Sequence, residues 1–224
     1  MRKQKKAILD MIKAFIFDFD GVIVDSVDIK TKAFARLFED EGKEIVDKVT
    51  SYHLNNAGIS RYEKLKHIYK EIINKPLSRE TFRELCRRFE SMVVENVINA
   101  PFIKGADEFL KGNATRFKFF LVSATPQEEI QVITRRKNIR VFFKRIYGAP
   151  IQKAEAVKDI LLKEKLRSCD VIYVGDALSD YEAAKDNSLR FIAVTSSADS
   201  VFAGIGCVKI KDFTQLKQVI SREK

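Results

Sequence analysis

Residues 14–26 read Ala14-Phe-Ile-Phe-Asp18-Phe-Asp20-Gly21-Val-Ile-Val-Asp-Ser26, an apolar run that stops in two carboxylates and a glycine. A short apolar run of this kind is a buried strand, and its end delivers Asp18 and Asp20 to the carboxyl edge of the sheet it joins. In open α/β sheets ligands sit in the crevice beyond that edge. Two carboxylates at i and i+2 there can divide labour, one as nucleophile or metal ligand and the other as acid/base. Gly21 lets the backbone turn sharply or take positive φ just past them. Taken alone, the Asp-x-Asp-Gly pattern also suits an Asx-type turn or a calcium loop, so the decision rests with the rest of the chain.

On the amino-terminal side, residues 2–12 read as a short helical lead-in to a first strand at 13–17. Past Ser26 the strand signals stop. Residues 28–42 carry a helical stripe of Ala33, Phe34, Leu37 and Phe38 that ends at Gly42, as a C-terminal cap predicts. Ser60-Arg61-Tyr62-Glu63 has capping-box spacing and opens a helix to about residue 74. Pro76 punctuates. Ser78 then opens a third helix, with Phe82, Leu85, Cys86, Phe89, Met92 and Val93 at spacings of three and four. Residues 27–99 therefore form a helical unit inserted into something else, made of 1–26 and 100–224.

From Ala100-Pro101 onward helices and strands alternate. The pattern predicts strands at 118–123, 141–147, 170–174, 190–194 and 207–210. Helices fall at 104–111, 126–137, 152–166, about 179–186 and from 212. Strands separated by helices of this length predict an α/β protein, a Rossmann-like parallel sheet covered on both faces.

Three further polar positions follow the rule of the first pair. Strand 118–123 ends in Ser123, followed by Ala124-Thr125-Pro126-Gln127-Glu128. Thr125 suits an N-cap, Pro126 the first helical position and Glu128 a capping box. Ser123 and the free amides around Ala124 can then hold phosphate oxygens. Lys153 lies at the opening of a helix, where it opposes the helix dipole; a nearby anion would explain it. The stretch Asp170-Val-Ile-Tyr-Val-Gly-Asp176-Ala-Leu-Ser-Asp180 again places carboxylates beyond a strand, and such oxygen ligands suit Mg²⁺. Asp18, Asp20, Ser123, Lys153, Asp176 and Asp180 all fall at one edge of the expected sheet.

Composition bounds the rest. The 224 residues suffice for one substantial domain with an insertion, and a 46% hydrophobic share with 17 Phe can fill its core. No apolar run approaches the roughly 20 residues of a membrane span, and the first residues lack a secretory stretch. Cys86, Cys169 and Cys207 are widely spaced and form no Cys-x-x-Cys pair. Cys86 and Cys169 sit in apolar patterns and read as small core residues. A soluble, cytoplasmic protein is expected. The net charge of +10 is uneven, with Arg135, Arg136, Lys137, Arg140, Lys144 and Arg145 uninterrupted by an acid. Such a field can attract nucleic acid or a phosphorylated metabolite, but a solvated face is the plainer reading and no nucleic-acid partner is expected.

The set Asp18-Phe-Asp20-Gly21-Val22, Ser123, Lys153 and Gly175-Asp176-Ala-Leu-Ser-Asp180 resembles, in order and spacing, the four motifs of the haloacid dehalogenase-like (HAD) hydrolase superfamily. The helical insertion directly after the first motif resembles that family's C1 cap, as in phosphoglycolate phosphatases and β-phosphoglucomutases. The resemblance implies Asp18 as the nucleophile that forms an aspartyl phosphate and Asp20 as the acid/base. It implies Ser123 and Lys153 as phosphate holders. Mg²⁺ would be bound by the Asp18 side chain, the Asp20 carbonyl and Asp176, with Asp180 direct or through water. Around Lys153 the sequence reads Gly-Ala-Pro-Ile-Gln-Lys rather than the Gly-Lys-Pro of many relatives.

Substrate choice falls to the cap loop Asn55-Asn56-Ala-Gly58-Ile-Ser60-Arg61, from which Arg61 or Lys64 can reach a second anionic group. His53 and His67 have no partner at metal-ligand spacing and are assigned no chemistry. A Mg²⁺-dependent phosphatase on a small phosphorylated metabolite, monomeric or homodimeric, is the leading expectation. A phosphomutase and a non-catalytic binding protein are the alternatives.

Overall fold

A computed structural model describes residues 12–195 and 201–222. The expected lead-in helix and the basic residues Arg2, Lys3, Lys5 and Lys6 lie outside the described residues. The first strand, β1 (Ala14–Phe17), is buried at all four positions, as a strand covered on both faces must be. Its side chains alternate. Phe15 and Phe17 join one half of the core, and Ala14 and Ile16 join the other. On the first side Phe15 meets Phe109 and Phe117 edge-on, with ring centroids 5.5 and 5.1 Å apart.

The chain leaves this strand for a helical insertion of α1 (Val27–Leu37), α2 (Lys43–Asn55), α3 (Arg61–His67, extended by a π-turn over Ile68–Ile72) and α4 (Arg79–Asn99). It leaves and returns side by side: Ile103 N–H donates to the Ile23 carbonyl, and Val24 bridges to Phe102. Ser60 and Ser78 cap α3 and α4 as their spacing predicts, accepting from the N–H groups of Glu63 and Thr81. The first helix differs from expectation. It ends at Leu37, a 3₁₀ turn covers Glu39–Glu41, and Gly42, at φ +91°, starts α2 rather than closing α1. Helix α2 has no counterpart in the sequence reading because only Val49 and His53 of its residues are buried.

The remaining elements alternate as expected: α5 (Ala106–Asn113), β2 (Lys118–Pro126), α6 (Gln127–Arg136), β3 (Phe143–Ala149), α7 (Lys153–Glu164), β4 (Val171–Gly175), α8 (Leu178–Asp186), β5 (Arg190–Val194), β6 (Val208–Ile210) and α9 (Phe213–Arg222). All strands pair in parallel in the order β3-β2-β1-β4-β5-β6. The central strand β1 thus has β2 on one side and β4 on the other, and their carboxyl ends lie together. Among the described residues no helix is long and apolar enough to cross a membrane. Cys86 is half-buried and Cys169 exposed, so Cys169 is not the core residue its apolar neighbours suggested; it sits in the 3₁₀ turn before β4.

The amino end of the sheet is pinned by Asp170. Its carboxylate accepts from Arg167 Nη2 (2.8 Å) and Nε (3.0 Å) and from Lys13 Nζ (3.0 Å). The Arg167 hydrogen bonds outweigh burial, and with Lys13 they hold the carboxyl well below the usual range. A depressed folded-state value contributes stability above the unfolded carboxylate range and loses it as pH falls through the folded value. Asp170→Asn is therefore expected to lower urea-unfolding stability at pH 7, with the difference from wild type shrinking as pH drops below about 4. Equal loss at both pH values would contradict the ionic origin.

Candidate active site

Asp18 is the first residue past β1, and its N–H still donates to the Val174 carbonyl of β4 (3.0 Å). The sheet therefore fixes its backbone and aims its buried side chain into the crevice. Lys153 Nζ approaches Asp18 Oδ1 at 3.3 Å and donates to Asp180 Oδ1 at 2.7 Å. Tyr173 Oη, from β4, donates to the same Asp180 oxygen at 2.7 Å, and the Ala177 N–H donates to Asp180 Oδ2 at 3.1 Å. Asp180 thus receives three donors, which anchor Lys153 opposite Asp18. Burial alone would lower the Lys153 ammonium, but the Asp18 and Asp180 charges outweigh it and keep it protonated.

Asp18 is left short of partners. Its Oδ1 is buried without a hydrogen bond. Burial pushes its carboxyl up to about 7; Lys153 opposes the rise, and Asp180 and Asp20 add to it. Burial, with Asp18 and Asp180, likewise holds Asp176 well above the usual range. Carboxylate oxygens of Asp18, Asp176 and Asp180 lie within 4.8 Å of one another. Fully ionised, the three carboxylates against one ammonium would carry two surplus negative charges, the deficit that one divalent cation fills. An all-oxygen set with an orphaned buried acceptor fits Mg²⁺. Gly21 keeps the space open: at φ +75° it favours glycine, and a Cβ there would run into the Asp176 carboxylate.

Asp20 has the opposite surroundings. Ser26 Oγ donates to its Oδ1 (2.6 Å), while Thr125 Oγ1 (3.1 Å) and the Lys30 ammonium, a very short contact, reach Oδ2. Burial would raise the Asp20 carboxyl, but Lys30 and the two hydroxyls take it below its ordinary value. Lys30 also donates to Thr125 Oγ1 at 2.8 Å. Thr125 therefore does not cap α6, whose N-cap is Pro126 without a side-chain bond. Between Val122 and Pro126 the register of β2 against β3 shifts, which lifts residues 123–125 off the ladder. There the buried Ser123 Oγ accepts from the Thr125 N–H (3.1 Å), and Ala124 lines the crevice.

The helical insertion roofs this crevice into a cavity walled by Asp18, Asp20 and Asp176 from the sheet and by Arg61, Lys64 and Phe34 from the helices. Ser179 Oγ donates to the Gly58 carbonyl (3.1 Å), an approach so close that a Cβ at Gly58 would overlap the hydroxyl. Gln152 Nε2 donates to Glu63 (3.0 Å) beside it. Arg61 is buried and ion-paired with Glu129 of α6, again at very short range. Lys64 is buried too; its Nζ lies 2.8 Å from His53 Nδ1 and within 3.5 Å of the carbonyls of His53 and Ala57. Burial, then the Lys64 and Lys30 charges, push His53 down to about 3, so its ring stays neutral. Sequence reasoning missed Lys30, Glu129 and Tyr173 and gave His53 no role.

The acid-free basic stretch is largely taken up by the fold. Arg136 pairs with Glu95, and Lys137 donates to the carbonyls of Ile98 (2.9 Å) and Ala100 (2.7 Å). Arg140 donates to the Phe143 carbonyl (2.7 Å) and Arg145 to Glu164 (3.1 Å).

The profile of the haloacid dehalogenase-like hydrolases matches residues 15–194, nearly the whole of this architecture. The chain belongs to that family. A phosphorylated carbohydrates phosphatase of Thermotoga maritima is 29% identical over 191 residues, covering 81% of this chain and 84% of the relative. A phosphoglycolate phosphatase of Synechococcus elongatus is 24% identical over 196 residues, covering 82% and 84%. Among solved structures, a β-phosphoglucomutase of Clostridium difficile superposes with a TM-score of 0.76 at 22% identity, over 95% of this chain and 98% of that one; it shares the fold. This HAD hydrolase is thus an enzyme of the phosphatase type.

The charge deficit predicts a response independent of turnover. Mg²⁺ added to metal-free protein is expected to raise the melting temperature. Asp176→Asn is expected to raise the metal-free melting temperature, by removing a carboxyl whose ionisation burial, Asp18 and Asp180 disfavour, and to abolish the Mg²⁺ response. A wild type indifferent to Mg²⁺ would contradict this reading of the three aspartates.

Proposed function

We propose that this HAD hydrolase is a Mg²⁺-dependent phosphatase that cleaves a small phosphorylated metabolite through an aspartyl phosphate on Asp18. The observation that carries the reading is a buried Asp18 oxygen that has no hydrogen bond and lies 3.3 Å from an ammonium, Lys153, which Asp180 and Tyr173 hold from behind. A carboxylate cannot approach a phosphate dianion unless positive charge is already fixed beside both. Lys153 is that fixed charge. Ser123 and the amides around Ala124 hold the other phosphoryl oxygens at the lifted end of β2.

The Asp18 side chain, the Asp20 carbonyl and Asp176 would hold Mg²⁺, with Asp180, its oxygens taken by three donors, acting through water. When bound, the ion supplies further positive charge to the phosphoryl oxygens. Asp20 serves as acid and then base. Lys30 holds it ionised; an incoming phosphoryl group competes for that ammonium, so Asp20 takes up a proton from solvent, gives it to the leaving oxygen and, ionised again, takes one from the attacking water. Arg61, with its Nε and Nη1 buried and unpartnered, meets the leaving group. The cysteines are free, which fits a reducing compartment such as the cytoplasm.

Relatives named as phosphatases of phosphorylated carbohydrates and of phosphoglycolate set the first substrates to try. Wild type with Mg²⁺ is expected to release inorganic phosphate from such a panel. Asp18→Asn is expected to reduce the rate roughly 10³-fold or more. Equal rates in the two proteins would contradict the role of Asp18, and a requirement for a sugar bisphosphate would point to a phosphomutase instead.

A further inference from the structure

The cavity wall formed by α4 and α6 carries an arrangement that the phosphoryl chemistry does not use. Arg61, on the first turn of α3, and Glu129, on the first turn of α6, form an ion pair with side chains only 5% and 8% exposed. Both line the same cavity as Asp18. The guanidinium lies 5.3 Å from the Phe89 ring centroid, and Val93, Val97 and Ile133 complete an apolar floor around it. Two of the guanidinium nitrogens, Nε and Nη1, are buried with no acceptor. A buried donor pair left unsatisfied beside a cavity marks a place for a ligand oxygen.

The charge of that oxygen follows from Glu129. Without it, Arg61 would be an uncompensated buried cation and would favour a second phosphate or a carboxylate on the leaving group. With it, the pair is neutral. A second anion at Arg61 would sit against a carboxylate in a poorly solvated pocket, where like charges repel strongly. A polyol meets no such penalty: its hydroxyls can accept from Nε and Nη1 and donate to Glu129, and its C–H faces lie on Phe89 and the aliphatic floor.

The other cap cations lining the cavity do not reverse this. Lys30 is ion-paired with Asp20. Lys64 is engaged by the His53 ring and by carbonyls at the end of α2, and burial, reinforced by Lys30, lowers its ammonium to about 7. It is not a permanent positive charge.

We infer that Glu129 is a specificity-determining residue: by neutralising Arg61 across the cavity, it selects phosphomonoesters of uncharged polyols, sugar monophosphates in class, and rejects leaving groups that carry a second anion. This rests on the phosphatase reading of the same cavity. The test compares kcat/KM of wild type and Glu129→Gln for a hexose monophosphate, a hexose bisphosphate and phosphoglycolate. Ligand-induced melting shifts with the same three compounds, on the Asp18→Asn background, give a readout independent of turnover.

Wild type is expected to prefer the monophosphate. Glu129→Gln is expected to move the ratio toward the two anionic leaving groups by about 10- to 100-fold, the scale of releasing one partner of a buried charge pair. Glu129→Asp keeps the charge and should keep the preference, even if Glu129→Gln folds poorly. A wild type that prefers phosphoglycolate or the bisphosphate, or a ratio unmoved by Glu129→Gln, would overturn the inference. If no substrate is turned over while the melting shifts keep the expected order, the phosphatase reading falls and the charge selection stands.

Discussion

One buried ammonium organises the site. Lys153 opens α7 beneath the carboxyl end of the sheet, and its contacts to Asp18 and Asp180 join three elements that are far apart in sequence. Burying a lone cation costs several kcal/mol, and so does burying a lone carboxylate; each is tolerable here because the other is present. The arrangement is lopsided by design of its neighbours. Tyr173 and the start of α8 hold Asp180, which holds Lys153 beside Asp18, and Asp18 Oδ1 is left with that 3.3 Å ion-pair contact and no hydrogen bond. A divalent cation fits that residual demand, which Asp176 shares.

The sheet order makes this possible with few residues. Because β1 lies between β2 and β4, the ends of three neighbouring strands bring Asp18, Asp176 and, from β2, Ala124 and Thr125 to one crevice with Ser123 buried behind them, and the helix after β3 adds Lys153. Aromatic packing of Phe15 and Phe17 on one face of β1 and aliphatic packing on the other hold that strand as a rigid post. The helical insertion closes over the crevice through apolar groups, Val93 and Val97 beside Ile133, and through polar contacts: Lys30 with Asp20 and Thr125, Arg61 with Glu129, Ser179 with Gly58, Gln152 with Glu63, Arg136 with Glu95, and Lys137 with the carbonyls of Ile98 and Ala100. Among these groups Lys30, Arg61 and Glu129 also line the cavity.

The strand ends were legible because a buried parallel strand has to be apolar throughout, so a carboxylate or hydroxyl at its end stands out. The same holds for the caps at Ser60 and Ser78, where the partner is three residues away. Contacts across the chain were harder to read. Thr125 has every local mark of an N-cap, yet its hydroxyl is claimed by Asp20, 105 residues earlier in sequence, and by Lys30. A signal was nevertheless present in three places. Lys30 continues the stripe of Ala33, Phe34 and Leu37; Lys64 sits beside the buried Leu65 and Ile68; and Glu129 precedes Ile130 and Ile133. A charge in the buried phase of a helix requires a partner through space, and all three line the cavity. Helix α2 escaped notice because a stripe of two buried residues lacks the periodicity that marks a helix.

The central claim is that Asp18 takes the phosphoryl group. Wild-type enzyme quenched in acid during turnover, digested and analysed by mass spectrometry is predicted to carry a hydroxylamine-labile phosphoryl group on the peptide containing Asp18. A turning-over enzyme with no phosphoryl group on that peptide, or with a stable one on another residue, would contradict the account.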